Sequence, residues 1–86
     1  MAAVTVKLFG TLRLDSGVKE FTAEADRVRD LYPAVLAEIH RRKPESTLTE
    51  KDLQSCLAAV NGQQANLRTK LQAGDEVFFF PAVAGG

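Results

Sequence analysis

The sequence predicts an α+β fold in which one main helix packs on one face of a mixed sheet of roughly four or five strands. Three observations carry that expectation. Val4, Val6 and Leu8 alternate with Thr5, Lys7 and Phe9, the period of a half-buried strand. Val28, Leu31, Val35, Leu36 and Ile39 recur instead at helical spacing, with Arg27, Arg29, Glu38 and Arg42 off that stripe. A last apolar run, Glu76–Phe80, follows a Gly74-Asp75 turn signal.

The elements between these follow in order. After Gly10, the segment Thr11–Ser16 reads two ways: Leu12 and Leu14 either continue the first strand or cover an edge of the core. Asp15-Ser16-Gly17 is a turn signal, and Val18–Thr22 reads as a second strand, which makes a hairpin with the first. Asp26 suits the N-cap of the helix and Asp30 the positive end of its dipole. His40, Arg41, Arg42 and Lys43 fall in its last turn, and Pro44 stops it. Pro33 conflicts with a helix interior, so either the main helix starts near it or the helix is kinked there. Pro44–Asp52 is a polar loop with room for a helical turn. The run Cys56-Leu57-Ala58-Ala59-Val60 is a strand ended by Asn61-Gly62, and Gln64–Leu67 is a short edge strand.

Composition narrows the function classes. The chain has 86 residues, enough for one modest core but not for a deep catalytic cavity. Eleven basic and eleven acidic residues cancel, which argues against general attraction to nucleic acid or to an anionic membrane. Cys56 is the only cysteine, so an internal disulfide framework, a CxxC-type zinc site and a four-cysteine cluster are excluded. No stretch is long enough to span a membrane, and Met1-Ala2-Ala3 runs into a strand without a leader-like segment. The expected compartment is the cytoplasm.

The chain ends in Gly85-Gly86, just beyond Pro81-Ala82-Val83-Ala84. At average usage, two glycines at that place have a chance of roughly one in two hundred. Diglycine has no Cβ to hinder a nucleophile and leaves both signs of φ open, so it suits a tail threaded to a reaction centre. Ala82–Gly86 spans about 17 Å when extended. Pro81 fixes φ and donates no ladder hydrogen bond, which ends the last strand naturally. The pleat puts Val77 and Phe79 on one face and Phe78 and Phe80 on the other. Because one helix covers only one face, bulky aromatics are left on the open side, together with Phe9. Such a patch usually marks a binding surface; the competing expectation is that Leu12, Leu14 or the tail folds over the rings.

Taken together, Val6-Lys7-Leu8-Phe9-Gly10-Thr11-Leu12-Arg13, the Asn61-Gly62 turn, Gly74-Asp75-Glu76-Val77, the Phe-Phe-Pro stretch and the terminal diglycine resemble the MoaD/ThiS family. The resemblance covers nearly the whole chain and is most specific over Leu71–Gly86. It implies a ubiquitin-like β-grasp domain over residues 1–81 and a flexible tail over 82–86. It also places Val77 and Phe79 inward, and Phe78 and Phe80 outward. It further implies that Gly86, with Gly85, is the reacting terminus. A separate ubiquitin-activating-like adenylyltransferase uses ATP to form an acyl-adenylate, and sulfur converts it to a thiocarboxylate. The carrier binds no cofactor itself, holds no metal and is not an enzyme. Phe9, Phe78, Phe80, Pro81 and Val83 are the implied partner-binding residues. The first pathway candidate is molybdopterin synthesis, with the chain as the small subunit beside a sulfur-accepting large subunit. Cysteine and thiamine synthesis are the alternatives, since Pro81-Ala82 stands where molybdopterin carriers commonly have two prolines. Two rivals remain: a protein modifier conjugated through Gly86, and a plain β-grasp interaction domain.

The remaining side chains have plainer readings. Cys56 on an apolar strand is a small buried hydrophobe before it is a persulfide acceptor. His40 has no metal partner in helical register. Arg41-Arg42-Lys43 reads as a solvated helix end, and Lys7 and Arg13 as surface cations near the aromatic face. No Ser/His/Asp arrangement, phosphate loop or carboxylate pair points to catalysis by this chain alone.

Overall fold

The computed structural model describes residues 1–81. Eight elements follow in chain order: β1 (Ala2–Leu8), α1 (Gly10–Ser16), β2 (Glu20–Ala25), α2 (Val28–Arg42), α3 (Glu50–Gln54), β3 (Leu57–Val60), β4 (Gln63–Ala65) and β5 (Glu76–Phe80). The strands form one mixed sheet in the order β2-β1-β5-β3-β4. The central strand, β5, runs parallel to β1 and antiparallel to β3. This is the ubiquitin-like β-grasp arrangement, with α2 across one face.

The sheet owes its two faces to alternation. Val4, Val6 and Leu8 of β1 and Val77 and Phe79 of β5 point under the helix and are fully buried. Val28, Leu31, Tyr32, Val35 and Ile39 of α2 close over them, and Tyr32 packs against Phe79 with ring centroids 5.5 Å apart. Leu36, on the predicted stripe, is only partly buried at its margin.

Several boundaries differ from the sequence expectations. Residues 10–16 are a helix and do not continue the strand; of the two leucines expected as cover for the core, Leu12 takes that place and Leu14 does not. The physical reason lies in Leu12 and Leu14: two residues apart, they share a strand face but lie about 200° apart on a helix. Leu12 is buried, whereas Leu14 is 76% exposed. Gly17 ends α1 with φ 71°, and its N–H donates to the Arg13 carbonyl. Only glycine takes that left-handed cap without strain. The buried Ser16 hydroxyl donates to the Arg13 carbonyl and accepts from the Val18 N–H, finishing the stop. β1 and β2 therefore pair antiparallel through a helical connection, not a tight hairpin, and β2 starts at Glu20 instead of Val18.

The N-cap of α2 is Arg27, not Asp26. Asp26 is held by the segment between β4 and β5, its carbonyl accepting from the Leu71 N–H, while the Asp30 carboxylate reaches back to the Arg27 N–H. The free N–H groups of Val28 and Arg29 donate to Thr69 and Leu67 carbonyls, which satisfies the helix start without a side-chain cap. Pro33 lies within a continuous α2 and is exposed, so the first turn is not a separate helix. Its ring costs the Arg29 carbonyl its usual intrahelical donor. The helical turn in the 44–52 loop falls at its end, as α3, started by a capping box between Thr49 and Asp52. β4 begins one residue earlier than expected, at Gln63, and ends at Ala65. Asn61 and Gly62 both have positive φ, 51° and 84°, as a tight two-residue hairpin demands. The Asn61 side chain then bonds Asp75 and the Glu76 N–H, tying this turn to the start of β5.

Candidate partner-binding face

The face of the sheet away from α2 is built by register. Lys7 stands beside Phe78 on one side, and Ala59 stands beside it on the other. One step along, Leu57 pairs with Phe80. Phe9 follows β1 in extended conformation, and its N–H donates to the Phe79 carbonyl, carrying the β1–β5 ladder one rung further. Phe9 and Phe78 meet edge to face, with centroids 5.3 Å apart and planes at 74°. Small Ala59 leaves room for the Phe78 ring in the middle of the sheet. Lys7 Nζ lies 5.7 Å from that ring's centre and 3.3 Å from the Glu76 carboxylate, so a cation rims the aromatic patch.

The structure therefore brings Phe9, Phe78 and Phe80 together on the open face. Phe78 and Phe80 are partly buried, and Phe9 is 40% exposed. Neither leucine of α1 covers them: Leu12 belongs to the core and Leu14 is exposed. Leu57, 43% exposed, extends the patch. In sequence Cys56–Val60 is one apolar run that does not mark Leu57; its alternation against Ala58 and Val60, which pack toward the core, is the signal that separates it.

Pro81 closes the described chain at the edge of this face. Gly10, with φ 62°, lies so near that a Cβ placed on it would sit 3.3 Å from the proline Cδ and Cγ. The start of α1 thus supports the point where the chain leaves the sheet. Val83, Gly85 and Gly86, and the predicted 82–86 tail as a whole, lie outside the described residues.

The other candidates take structural places. Cys56 is partly buried against the core, and its thiol faces the Asp52 carbonyl at 3.5 Å. Burial pushes that thiol up, and the nearby Asp52 carboxylate pushes it further, which disfavours the nucleophilic thiolate. Arg41 and Arg42 both grip Glu38 and hold its carboxyl below the usual range. Lys43 donates to the Asp15 carbonyl. Among the described residues, no three His, Cys, Asp or Glu side chains gather in a metal-like group. No described helix is long and apolar enough to cross a membrane.

Comparison with known proteins bears on what this face serves. The profile of the ThiS family matches residues 6–86. Curated protein sequences gave no match. Among solved structures, a Pyrococcus furiosus protein provisionally described as molybdopterin converting factor, subunit 1, is 30% identical with a TM-score of 0.69, covering 96% of this chain and 100% of its own. Small archaeal modifier protein 1 from Methanosarcina acetivorans is 29% identical with a TM-score of 0.68, covering 100% and 98%. A chain in the complex of subunits 1 and 2 of the molybdopterin-converting factor from Helicobacter pylori is 29% identical with a TM-score of 0.61, covering 98% and 99%.

Proposed function

The chain belongs to the ThiS family, and from that premise we propose that it is a sulfur carrier working through the carboxylate of Gly86. The observation that carries the reading is that the family match runs through Gly86, beyond the strand whose outer face holds Phe78 and Phe80. A carboxylate resists attack because its oxygen leaves poorly. An adenylating partner solves this with ATP: a carboxylate oxygen attacks the α-phosphorus, pyrophosphate leaves, and the acyl carbon becomes electrophilic. A sulfur nucleophile then bonds to that carbon as the C–O bond to AMP breaks, leaving a thiocarboxylate that delivers sulfur to an acceptor. The carrier contributes the tail and the docking face, and the catalytic groups and the nucleotide site belong to its partners.

Within that class we assign the chain to molybdopterin synthesis, as the small subunit beside a larger sulfur-accepting one. The two molybdopterin-converting-factor relatives, at 30% and 29% identity, support this assignment. Cysteine or thiamine synthesis remains the alternative acceptor pathway on the Pro81-Ala82 sequence. A second reading has its own support, because an equally similar relative is described as a small archaeal modifier protein. In that reading the same adenylate is captured by a lysine amine.

The test is mass spectrometry of the C-terminal peptide after incubation with the cognate adenylating enzyme, ATP and a sulfur donor. Sulfur in place of oxygen on Gly86 is the expected result, and deletion of Gly86 should abolish it. A plain carboxylate in wild type overturns the carrier reading, and high-mass conjugates in cells would shift the function to the modifier.

A further inference from the structure

Two segments far apart in sequence are zipped together at the start of α2. The Val28 and Arg29 N–H groups donate to the Thr69 and Leu67 carbonyls, and the Leu71 N–H donates to the Asp26 carbonyl. Arg27 and Lys70 form an antiparallel bridge between the segments. The pairing gathers four cations, Arg27, Arg29, Arg68 and Lys70, beside the two carboxylates of Asp26 and Asp30. The chain as a whole carries equal numbers of each sign, so this pole is a local excess of positive charge. An open hollow lined by Asp26, Arg27, Lys70 and Leu71 lies at the bridge.

The arrangement suits an anion better than it suits the fold. Residues directly opposite in an antiparallel pair hold their Cβ atoms about 4.5–5.5 Å apart, and like charges there are destabilising. Arg27 and Lys70 occupy such a pair. The Arg27 guanidinium is also held in place, because its Nη1 donates to the Arg68 carbonyl at 3.2 Å. A fixed guanidinium fork matches a carboxylate, which it grips with two parallel hydrogen bonds. The carboxylates of this pole are engaged with other groups: Asp26 faces the Met1 amine at 3.5 Å, and Asp30 accepts from the Arg27 N–H. In sequence they flank Arg27 and Arg29, and this sets the class of partner. A phosphate polymer or an anionic membrane would press its charges against both carboxylates, whereas a short acidic peptide segment reaches the cations between them.

We propose that this pole is a docking surface for an acidic segment of a protein partner, with one carboxylate seated between Arg27 and Lys70. Charge complementarity selects the occupant, and position gives the contact its use. Ala2 of β1 pairs with Ala25, next to the cations, whereas Leu8 lies beside Phe79 at the other end of the strand. The length of β1, about 20 Å, therefore separates this pole from the Phe9 end of the aromatic face. One partner holds the chain here while another engages the aromatic face. The proposal stands apart from the sulfur-carrier reading and does not depend on it.

The test titrates the full, isotope-labelled chain with an acetylated and amidated hexaglutamate peptide, followed by the NMR shifts of the backbone amides. The largest shifts should fall on residues 26–29 and 67–71, and binding should weaken several-fold between low and physiological salt. Lys70→Glu should weaken binding about tenfold and raise the melting temperature, because it turns a like-charge pair into an opposite one. Arg41→Glu, at the far end of α2, should leave binding unchanged. Shifts at residues 41–43 as large as those at the bridge overturn the proposal, since any cation would then serve. So does a Lys70→Glu variant that binds as wild type does, or one that loses binding and melts lower, which makes Lys70 structural. Tighter binding of oligothymidylate at the same amides makes the site one for nucleic acid and overturns the protein partner. Shifts there that grow with the concentration of the chain alone overturn it too, in favour of a second copy.

Discussion

The two faces of β5 carry nearly the same chemistry and have opposite fates. Val77 and Phe79 on one side are buried beneath α2, at 0% and 2% exposure. Phe78 and Phe80 on the other remain partly accessible, beside an exposed Phe9 and Leu57. A strand this apolar on both sides is normal where helices cover both faces of a sheet. Among the described residues only one face is covered, so their packing does not account for the hydrophobicity of the second face. The difference teaches that aromatic content alone does not identify a core, and that pairing register and cover do.

The comparison is broken most forcefully from the covered side. Phe79→Ala should cost about 3–5 kcal/mol, since it leaves a cavity between β5 and Tyr32. In a domain whose whole stability is of order 5–15 kcal/mol, that is a large part of the total. Urea denaturation followed by circular dichroism measures it. A loss under about 1 kcal/mol, the range of surface changes, would mean that Phe79 is not a core residue.

From the open side the same ring should matter to binding instead of folding. Phe80→Asp should cost the partner complex about 2 kcal/mol or more, roughly a thirtyfold loss of affinity. Its stability cost should stay near 1 kcal/mol, the scale of strand propensity. Calorimetric titration with the adenylating enzyme and a urea curve on the same variant give both numbers. If the variant unfolds, or binds as wild type does, the two faces are not specialised as described.

How much of this was legible beforehand depends on whether a residue's place is set locally or by its neighbours in space. The alternation of β1 and the stripe of α2 are local patterns, and both appear in the fold as read. The inward and outward assignment of Val77 to Phe80 needed the family resemblance, because Phe-Phe-Phe alternates with itself and carries no phase. α1 is hard to read locally because Leu12 and Leu14, two residues apart, fit the period of a strand, whereas the helix buries Leu12 alone; only Gly17 as a left-handed cap gives a hint. Leu57 joins the aromatic face only through its pairing with Phe80, a fact of register that no linear pattern holds. The role of Gly10 beneath Pro81 likewise required the parallel β1–β5 pairing, which joins residues 70 positions apart and more.

The smallest expected effect lies away from both faces and sharpens the contrast by serving as its reference. Glu38 accepts hydrogen bonds from Arg41 and Arg42 on α2, which lower its carboxyl pKa from the ordinary value. A depressed folded-state pKa means that the folded chain holds its proton less tightly than the unfolded one. The pair's contribution is therefore fully present above the unfolded carboxylate range and disappears as pH falls through the lower folded value. Glu38→Gln should lower the melting temperature slightly at neutral pH, and the difference should vanish in strong acid, where wild-type Glu38 is itself neutral. It should also shrink in high salt, since the guanidinium of Arg41 stands in solvent. Thermal melts of both proteins across that pH range are the check. A difference that persisted unchanged into acid would mean that Glu38 acts through packing and not through its charge. A loss approaching that of Phe79→Ala would mean that stability is not concentrated under the covered face.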